Sequence, residues 1–431
     1  MTLHVRIEVE DEIYSYTPAD NGAGPLWCHG STVVARREDH VFVAGLETIA
    51  EQVPLNNTRW LLFDRRDDGD WRLLHRDLTG RTREPSPVAL AGDDLLVSAN
   101  PTQADPGEYG GPATPTVFRF NARDPESDPQ LEQPDWEGTP PFSEHSYRTV
   151  TADCESEDVL YMQNEGYEIA HLSLRRGDVW QARGQIRWPL GSEYDRPQPL
   201  RLCYPNVMLR SGAAHFLGVG DIVEPVEEWR AAKKQITGRD WDYVFRRLFY
   251  AASPDIAREP FGEWLELANR DATAGSTRNC DLWVDARGDA HVLWIDVSTD
   301  ARIRDQFFPG TELRNSLEYA VVRDGMITAR HTLAALGEDQ DGSLPTQARI
   351  HITPFGLPAV LGQFQHGNTT LWRLALLEAE PTWVDIPFSR PMTGTFLTNT
   401  VRGGSAPSDT IDIVGSVAGS GLGYARLRVE P

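Results

Sequence analysis

Long apolar runs are missing from the sequence, and cysteine is scarce. No segment has the length and apolarity of a transmembrane helix or of the core of a signal peptide. The 431 residues include only 4 cysteines, and none is spaced as in a CxxC or zinc-binding motif. We therefore expect no disulfides. We expect a cytoplasmic protein, or a secreted one whose signal peptide is absent from this chain.

Basic residues are also in deficit. There are 41 Lys and Arg residues against 64 Asp and Glu, which gives a formal net charge of -23. Such a charge argues against nucleic acids and anionic membrane surfaces as partners. No Ser/Gly-rich linker divides the chain, so residues 1–431 are interpreted as a single domain.

The main repeated pattern in the sequence is a β-hairpin. Residues 278–296 contain an apolar strand, a tight turn at Asp285-Ala-Arg-Gly288, and a second strand with alternating side chains. Six further segments have the same form. They occupy residues 30–46, 87–99, 147–163, 204–221, 349–364 and 395–418.

Two more strands follow most of these hairpins, so the repeat is a four-stranded antiparallel unit. It recurs at roughly 45 to 75 residues, a period typical of propeller blades with loop insertions. The last unit has only three strands, and residues 2–10 form a strand without a unit of its own. We therefore predict an all-β, seven-bladed β-propeller in which the N-terminal strand completes the last blade, with six or eight blades as the alternatives.

The largest insertion is predicted in blade four, at residues 224–242. Its acidic start, basic end and Gly238 indicate a short helix. Residues 261–270 fit either the outer strand of this blade or a second helix.

Propeller geometry brings distant residues together at one mouth of the central channel. The innermost strands begin at that face, and the loops between second and third strands return to it. These positions are rich in His, Tyr and Arg although the protein is acidic. The candidate catalytic residues at these positions are His29, His145, Tyr147 and Tyr243. As candidate ligand-binding residues they supply Trp27, Arg83, Glu84, Arg148, Tyr204, Asp221, Arg247, Asn279, Asp281 and His366. They also include Arg278, to which we assign no role at this point.

These residue types favour an acidic sugar as the ligand. Arg binds carboxylates with a fork of donors, while His and Tyr exchange protons. Three histidines from three blades could also meet at the axis and hold a divalent cation, although no spacing identifies the ligands.

Two turns carry a family resemblance. Asp67-Asp-Gly-Asp-Trp71 and Arg176-Gly-Asp-Val-Trp180 resemble degenerate Asp-box (BNR) repeats, which lie between the third and fourth blade strands of sialidases. The hairpin from Asp285 to Trp294 is similar to repeats of BNR-type propellers that include polysaccharide lyases acting on uronate-containing glycans.

Sialidase membership would imply three arginines on the substrate carboxylate, a Tyr with a Glu partner, and an Asp acid. Blade one has Leu26-Trp-Cys-His-Gly30 where the first of those arginines is expected, which counts against sialidase activity. The lyase resemblance implies His and Tyr as base and acid, with Arg or a cation neutralising the uronate.

We accordingly predict a lyase that cleaves uronate-containing glycans by β-elimination. Arg148 or Arg247 would neutralise the carboxylate, His29 would protonate the departing oxygen, and the base would be one of three residues. Those three are Tyr147, Tyr243 and His145. The alternatives are a glycoside hydrolase that uses Glu84, Asp221 or Asp281, and a non-catalytic propeller that binds a glycan or a protein.

Overall fold

The chain forms a seven-bladed β-propeller, as the repeat pattern predicts. The computed structural model describes residues 3–143, 147–239, 242–417, 419 and 421–430. In this described part, no helix is both long enough and apolar enough to span a membrane.

Each blade is a four-stranded antiparallel sheet, and its strands are named from the innermost outward. Blade one contains Val34–Arg37, His40–Thr48, Thr58–Arg66 and Arg72–Arg76, and blade two contains Val88–Ala91, Asp94–Ala99, Thr116–Asn121 and Gln130–Glu132. Blade three contains Arg148–Ala152, Val159–Glu165, Ile169–Arg176 and Val179–Arg187, and blade four contains Leu202–Arg210, Ala213–Gly220, Arg247–Ser253 and Leu265–Asn269.

The remaining blades repeat the arrangement. Blade five contains Ser276–Val284, Ala290–Val297, Arg314–Arg323 and Met326–Gly337, and blade six contains Leu344–Ile352, Pro358–His366, Thr369–Leu376 and Val384–Ile386. Blade seven contains Thr393–Thr398, Thr410–Val417, Gly421–Glu430 and, outermost, His4–Ser15. Two small ribbons pair Leu190–Gly191 with Gln198–Pro199 and Ile222–Val223 with Tyr243–Val244.

Large aromatic side chains fill the spaces between blades. Trp60, Trp294 and Trp372 are almost completely buried. Faces of neighbouring sheets diverge from the axis, so the bulkiest side chains fill the widening gap and exclude water from it. This packing makes the ring one continuous structure.

The N-terminal strand closes the ring, as predicted, but it is longer than residues 2–10. It runs to Ser15 and pairs antiparallel with Gly421–Glu430. The seam between blades seven and one is also bridged by the buried Asp412 carboxylate, which accepts hydrogen bonds from Arg36 Nε at 2.6 Å and from the Tyr424 hydroxyl at 2.6 Å. Closure removes the two sheet edges that an open array would expose.

The blade-four insertion contains the predicted helix, Glu227–Thr237, which ends at Gly238 in the left-handed conformation with φ 70°. A single turn at Asp271–Thr273 and a short helix at Arg304–Phe307 follow. Of the two interpretations of residues 261–270, the outer strand is correct, because Leu265–Asn269 pairs with Arg247–Ser253.

A buried ionic cluster fastens the insertion helix to blade five. Lys233 Nζ lies 2.7 Å from Glu224, 3.1 Å from Asp242 and 3.3 Å from Asp300. Arg302 pairs with the last two carboxylates, at 2.9 and 2.6 Å. Since each charge has opposite partners, the helix is held over the face that carries the second-to-third strand loops.

Both Asp-box-like turns lie between third and fourth strands, in blades one and three, which is the position that the resemblance implies. In the second turn, Trp180 Nε1 donates to Glu132 at 2.7 Å. These turns connect outer strands at the face opposite the loops between second and third strands.

Candidate functional site

A pocket of about 410 Å³ opens at the predicted mouth of the channel. Trp27 and His29 enter it from the loop before blade one, Tyr204 from blade four, and Arg278 from the inner strand of blade five. Phe245, from the segment that precedes the third strand of blade four, forms part of its wall. The ring geometry therefore brings together residues that are up to 368 positions apart in the chain, from Trp27 to Thr395.

Aromatic rings in contact with one another form the core of this pocket. The rings of His29 and Tyr204 are stacked, with centroids 4.3 Å apart and an interplanar angle of 20°. Tyr147 lies 5.2 Å from Tyr204 and 5.6 Å from Trp27, centroid to centroid. Because each ring is held by its neighbours, the cluster is rigid before any ligand binds.

Tyr204 owes its orientation to an irregular backbone. Its φ is 49°, in the left-handed region, and the pairing of its strand shifts register between Cys203 and Asn206. The Tyr204 carbonyl accepts a hydrogen bond from Asn279 Nδ2 at 2.6 Å and packs so closely on Gly30 that a Cβ there would lie 2.0 Å from it. Bulges and left-handed residues of this kind aim side chains at functional sites.

His29 is neutral at physiological pH. Burial lowers its pKa well below the ordinary value, and the nearby Arg349 and Arg278 cations lower it further. The stacked Tyr204 is also neutral, because burial raises the pKa of its phenol. The pocket thus offers an imidazole able to accept a proton and a phenol able to donate one.

A hydrogen-bonded chain extends from the pocket towards blades three and four. The Tyr147 hydroxyl donates to Asp221 Oδ2 at 3.0 Å, and the same carboxylate is ion-paired with Arg201. Burial raises the pKa of Tyr147. Tyr147 therefore stays protonated and committed to Asp221.

Positive charge predominates in and directly beneath the mouth. The arginines there are Arg83, Arg148, Arg201, Arg278, Arg349 and Arg402. Three of them are ion-paired: Arg148 with Glu84, Arg201 with Asp221 and Arg402 with Asp281. Within the described part of the chain, the other three arginines have no carboxylate at ion-pair distance. A local excess of cations in a protein of net charge -23 indicates an anionic ligand.

Arg278 is the most accessible of these cations. It is exposed and lines the pocket, and its guanidinium has no hydrogen-bond or ion-pair partner among the residues that the structure describes. Arg83 is partly buried, with its guanidinium 5.9 Å from the centre of the Trp27 ring and its Nε donating to the Asn21 carbonyl.

Deeper arginines close the channel instead of lining a site. Arg349 donates to the carbonyls of His29 at 2.8 Å, Cys280 at 2.5 Å and Phe396 at 3.2 Å, and so joins blades five and seven to the loop before blade one. Burial lowers the pKa of Arg349 to about 10, which leaves it charged near pH 7.

Four of the predicted ligand-binding residues belong to this buried layer. Arg148 is paired with Glu84 at 3.3 Å, and Asp281 accepts from Arg402 at 2.8 Å. Asn279 bonds the Tyr204 carbonyl as described. Glu84, Arg148, Asn279 and Asp281 are each about 1 % exposed, so their contacts are structural.

Three further predicted residues, Tyr243, Arg247 and His366, do not line the mouth pocket. Tyr243 is exposed in the insertion of blade four, and His366 is exposed in blade six, where its Nδ1 lies 2.5 Å from the Gly342 carbonyl. Arg247 is engaged by Glu193 and Glu266 and is therefore not free to bind a carboxylate. His145 falls outside the described residues, and its catalytic role stays a prediction.

Sequence reasoning missed Arg201 and gave Arg278 no role. Arg201 immediately precedes the inner strand of blade four, and starting that strand at Leu202 instead of Tyr204 would have drawn attention to it. Phe245 was missed because the insertion obscured the return of the chain to the mouth.

No group of three or more His, Cys, Asp and Glu side chains suited to a metal ion occurs in the part of the chain that is described. The divalent cation therefore stays a prediction.

A larger side pocket of about 740 Å³ continues from the mouth. The two cavities share the lining residues Phe245, Ser276, Val297 and Asn315. The side pocket passes beneath the insertion of blade four, where Tyr243 contributes to its wall, and reaches blade six. Together the cavities form a groove across the face, longer than a single small molecule requires.

No protein-family model matches the sequence, and no curated protein sequence matches it. Among solved structures, the fold is similar to that of a PL25 polysaccharide lyase, an ulvan lyase bound to -[GlcA(1-4)Rha3S]-. The TM-score is 0.56 at 9% identity, over 97% of this chain and 95% of that one. It is also similar to the polysaccharide lyase Uly1, with a TM-score of 0.52 at 10% identity, over 96% and 91% of the two chains. An α-L-arabinanase of Penicillium chrysogenum, in complex with arabinobiose, has a TM-score of 0.48 at 11% identity, over 98% of each chain. At such identities the likeness to the two lyases shows a shared fold alone.

Proposed function

We propose that the protein is a lyase that cleaves uronate-containing glycans by β-elimination at the mouth pocket. The observation that carries the proposal is the unpaired Arg278 beside a neutral His29 and a neutral Tyr204. The ulvan lyase of this fold is bound to a glycan that contains GlcA, which supports the same substrate class here.

The reaction begins with the uronate carboxylate on Arg278. Charge neutralisation acidifies the proton on C5 of the sugar, and the bound anion offsets the surrounding arginines, so the basicity of His29 rises when substrate binds. His29 takes the C5 proton. The electron pair of that C–H bond forms the C4–C5 double bond as the C4–O4 bond breaks.

Tyr204 supplies the proton that the departing O4 needs. Its pKa is raised by burial, so the phenol is protonated, and the left-handed backbone fixes its direction. This assignment reverses the role predicted for His29 from sequence. An imidazole whose pKa is depressed carries no proton to donate at neutral pH. Arg278 likewise replaces Arg148 and Arg247, whose guanidinium groups are engaged elsewhere.

The test is absorbance in the ultraviolet band of unsaturated uronates during incubation with ulvan and other uronate polymers. Arg278→Gln should lower kcat/KM by about 100-fold, since a charge-assisted contact that acts in the transition state contributes on the order of 3 kcal/mol. Arg287→Gln is the matched control, because Arg287 is an exposed arginine in the same blade at the opposite face. Absence of an unsaturated product across the panel, or equal rates for the two variants, would refute the lyase.

A hydrolase is less well supported. Its three candidate carboxylates, Glu84, Asp221 and Asp281, are at most 2 % exposed, and each is bound to an arginine. New reducing ends without unsaturated product would nevertheless identify hydrolysis in the same incubation.

A further inference from the structure

Two exposed tyrosines meet on the mouth face outside the proposed catalytic pocket. Tyr167 is at the tip of the turn between the second and third strands of blade three and is 54% exposed. Tyr243 lies in the insertion of blade four and is 40% exposed. Burial raises the pKa of Tyr243 to about 12, and the adjacent Tyr167 hydroxyl contributes to this rise. We call the pair the tyrosine platform.

A buried cation supports the platform and connects it to the pocket. The Arg201 guanidinium lies 4.2 Å from the centre of the Tyr167 ring and 4.9 Å from the centre of the Tyr147 ring. Arg201 is itself fixed by Asp221. The cation–π contact with the fixed Arg201 holds Tyr167 in place although the residue is 54% exposed.

Solvent-exposed aromatic rings held rigid in this way are suited to binding. Two large rings left in water add little to the stability of the fold, whereas a preordered aromatic surface binds flat apolar faces at little entropic cost. The CH-bearing face of a pyranose ring is such a surface, and the phenol hydroxyls can bond its rim. Tyr243 also borders the side pocket that continues from the mouth.

We propose that the tyrosine platform is a distal subsite that binds a sugar ring of the same glycan chain, away from the cleaved bond. This inference rests on the proposed function and deepens it, because it makes the enzyme selective for polymer over short fragments. Tyr243 then acts as a positioning residue, not as the base predicted from sequence.

The experiment compares kinetics on polymeric ulvan and on its shortest cleavable fragment. Tyr167→Ala and Tyr243→Ala should each raise KM for the polymer by about tenfold and leave kcat within about twofold, because the platform contributes uniform binding. A fragment too short to occupy the pocket and the platform at once should show an unchanged KM. Phe replacements keep the rings and should retain most of the polymer affinity.

Tyr109→Ala is the matched control. Tyr109 is 78% exposed and lies in the insertion of blade two, outside both pockets, so its removal should alter neither KM. An unchanged polymer KM in both Ala variants, or an equal rise for polymer and fragment, would overturn the platform while leaving the lyase proposal intact.

If wild-type protein cleaves no uronate polymer, the lyase proposal fails, and the platform is tested separately by titration calorimetry with the same ulvan. Binding weakened about tenfold by Tyr167→Ala and Tyr243→Ala, but not by Tyr109→Ala, would support the platform. Equal binding by all variants, or no binding by the wild type, would overturn it.

Discussion

Replacing Gly30 with alanine should distort the mouth pocket. The new Cβ would lie 2.0 Å from the carbonyl oxygen of Tyr204 and 2.5 Å from that of Pro205. Both are backbone atoms, which cannot rotate away, so the inner strand of blade four must move relative to the loop before blade one.

The cost follows from the contacts at this junction. Overpacking of a tight interior costs about 1–3 kcal/mol. The Gly30 carbonyl accepts from Asn206 Nδ2 at 3.0 Å and from Arg402 Nη1 at 2.5 Å, and Asn279 holds Tyr204 at 2.6 Å. Weakening these three buried bonds adds roughly 1 kcal/mol for each. The free energy of unfolding should therefore fall by about 4–6 kcal/mol.

Denaturant unfolding followed by tryptophan fluorescence measures this loss. Gly24→Ala is the control, since Gly24 lies in the same loop and a Cβ there meets nothing within 4 Å. The stacking of His29 on Tyr204 should also be lost in Gly30→Ala, and lyase activity with it. Stability of Gly30→Ala within about 0.5 kcal/mol of the Gly24→Ala protein would refute the reasoning.

Two further predictions concern buried ionisable groups. Burial lowers the pKa of His215 to about 4. Between about pH 6.5 and about pH 4 the unfolded chain therefore binds more protons than the folded one. Lowering the pH through this window should reduce the free energy of unfolding by up to roughly 3 kcal/mol. His215→Gln should flatten this dependence in urea unfolding at pH 7 and pH 4.5, and an unaltered slope would contradict the assignment. Lys233→Ala should lower the free energy of unfolding by about 3–5 kcal/mol, because the carboxylates of the buried cluster lose one of their cations. Arg230→Ala removes a surface pair on the same helix and should change stability by less than about 1 kcal/mol, so similar losses in the two variants would show that the cluster is not what fastens the helix.

Strand periodicity and turn residues were sufficient to predict the ring. The pattern around Gly288 recurs in a form that local chemistry determines, and the unpaired N-terminal strand matches the incomplete last blade. Helix signals at Gly238 were equally local. Each of these features depends on residues near one another in sequence.

How deeply each polar side chain lies in the channel could not be predicted from local sequence. Arg148 and Arg278 both lie near the start of an inner strand, yet the first is buried against Glu84 and the second is exposed in the pocket. The difference arises from neighbours in other blades, which periodicity does not specify. The left-handed backbone of Tyr204 was equally hidden, because tyrosine carries no signal for it.

The seam between His4–Ser15 and Gly421–Glu430 matters well beyond blade seven. The groups proposed to bind and cleave the glycan come from the loop before blade one and from blades four and five, so their spacing depends on every sheet-to-sheet contact around the circle. Loss of the pairing of this one outer strand would let the circle widen and would separate His29 from Tyr204. The proposed activity should therefore depend on the pairing of the two terminal strands. Heating that disrupts this pairing should abolish turnover at a lower temperature than the one at which the blades unfold.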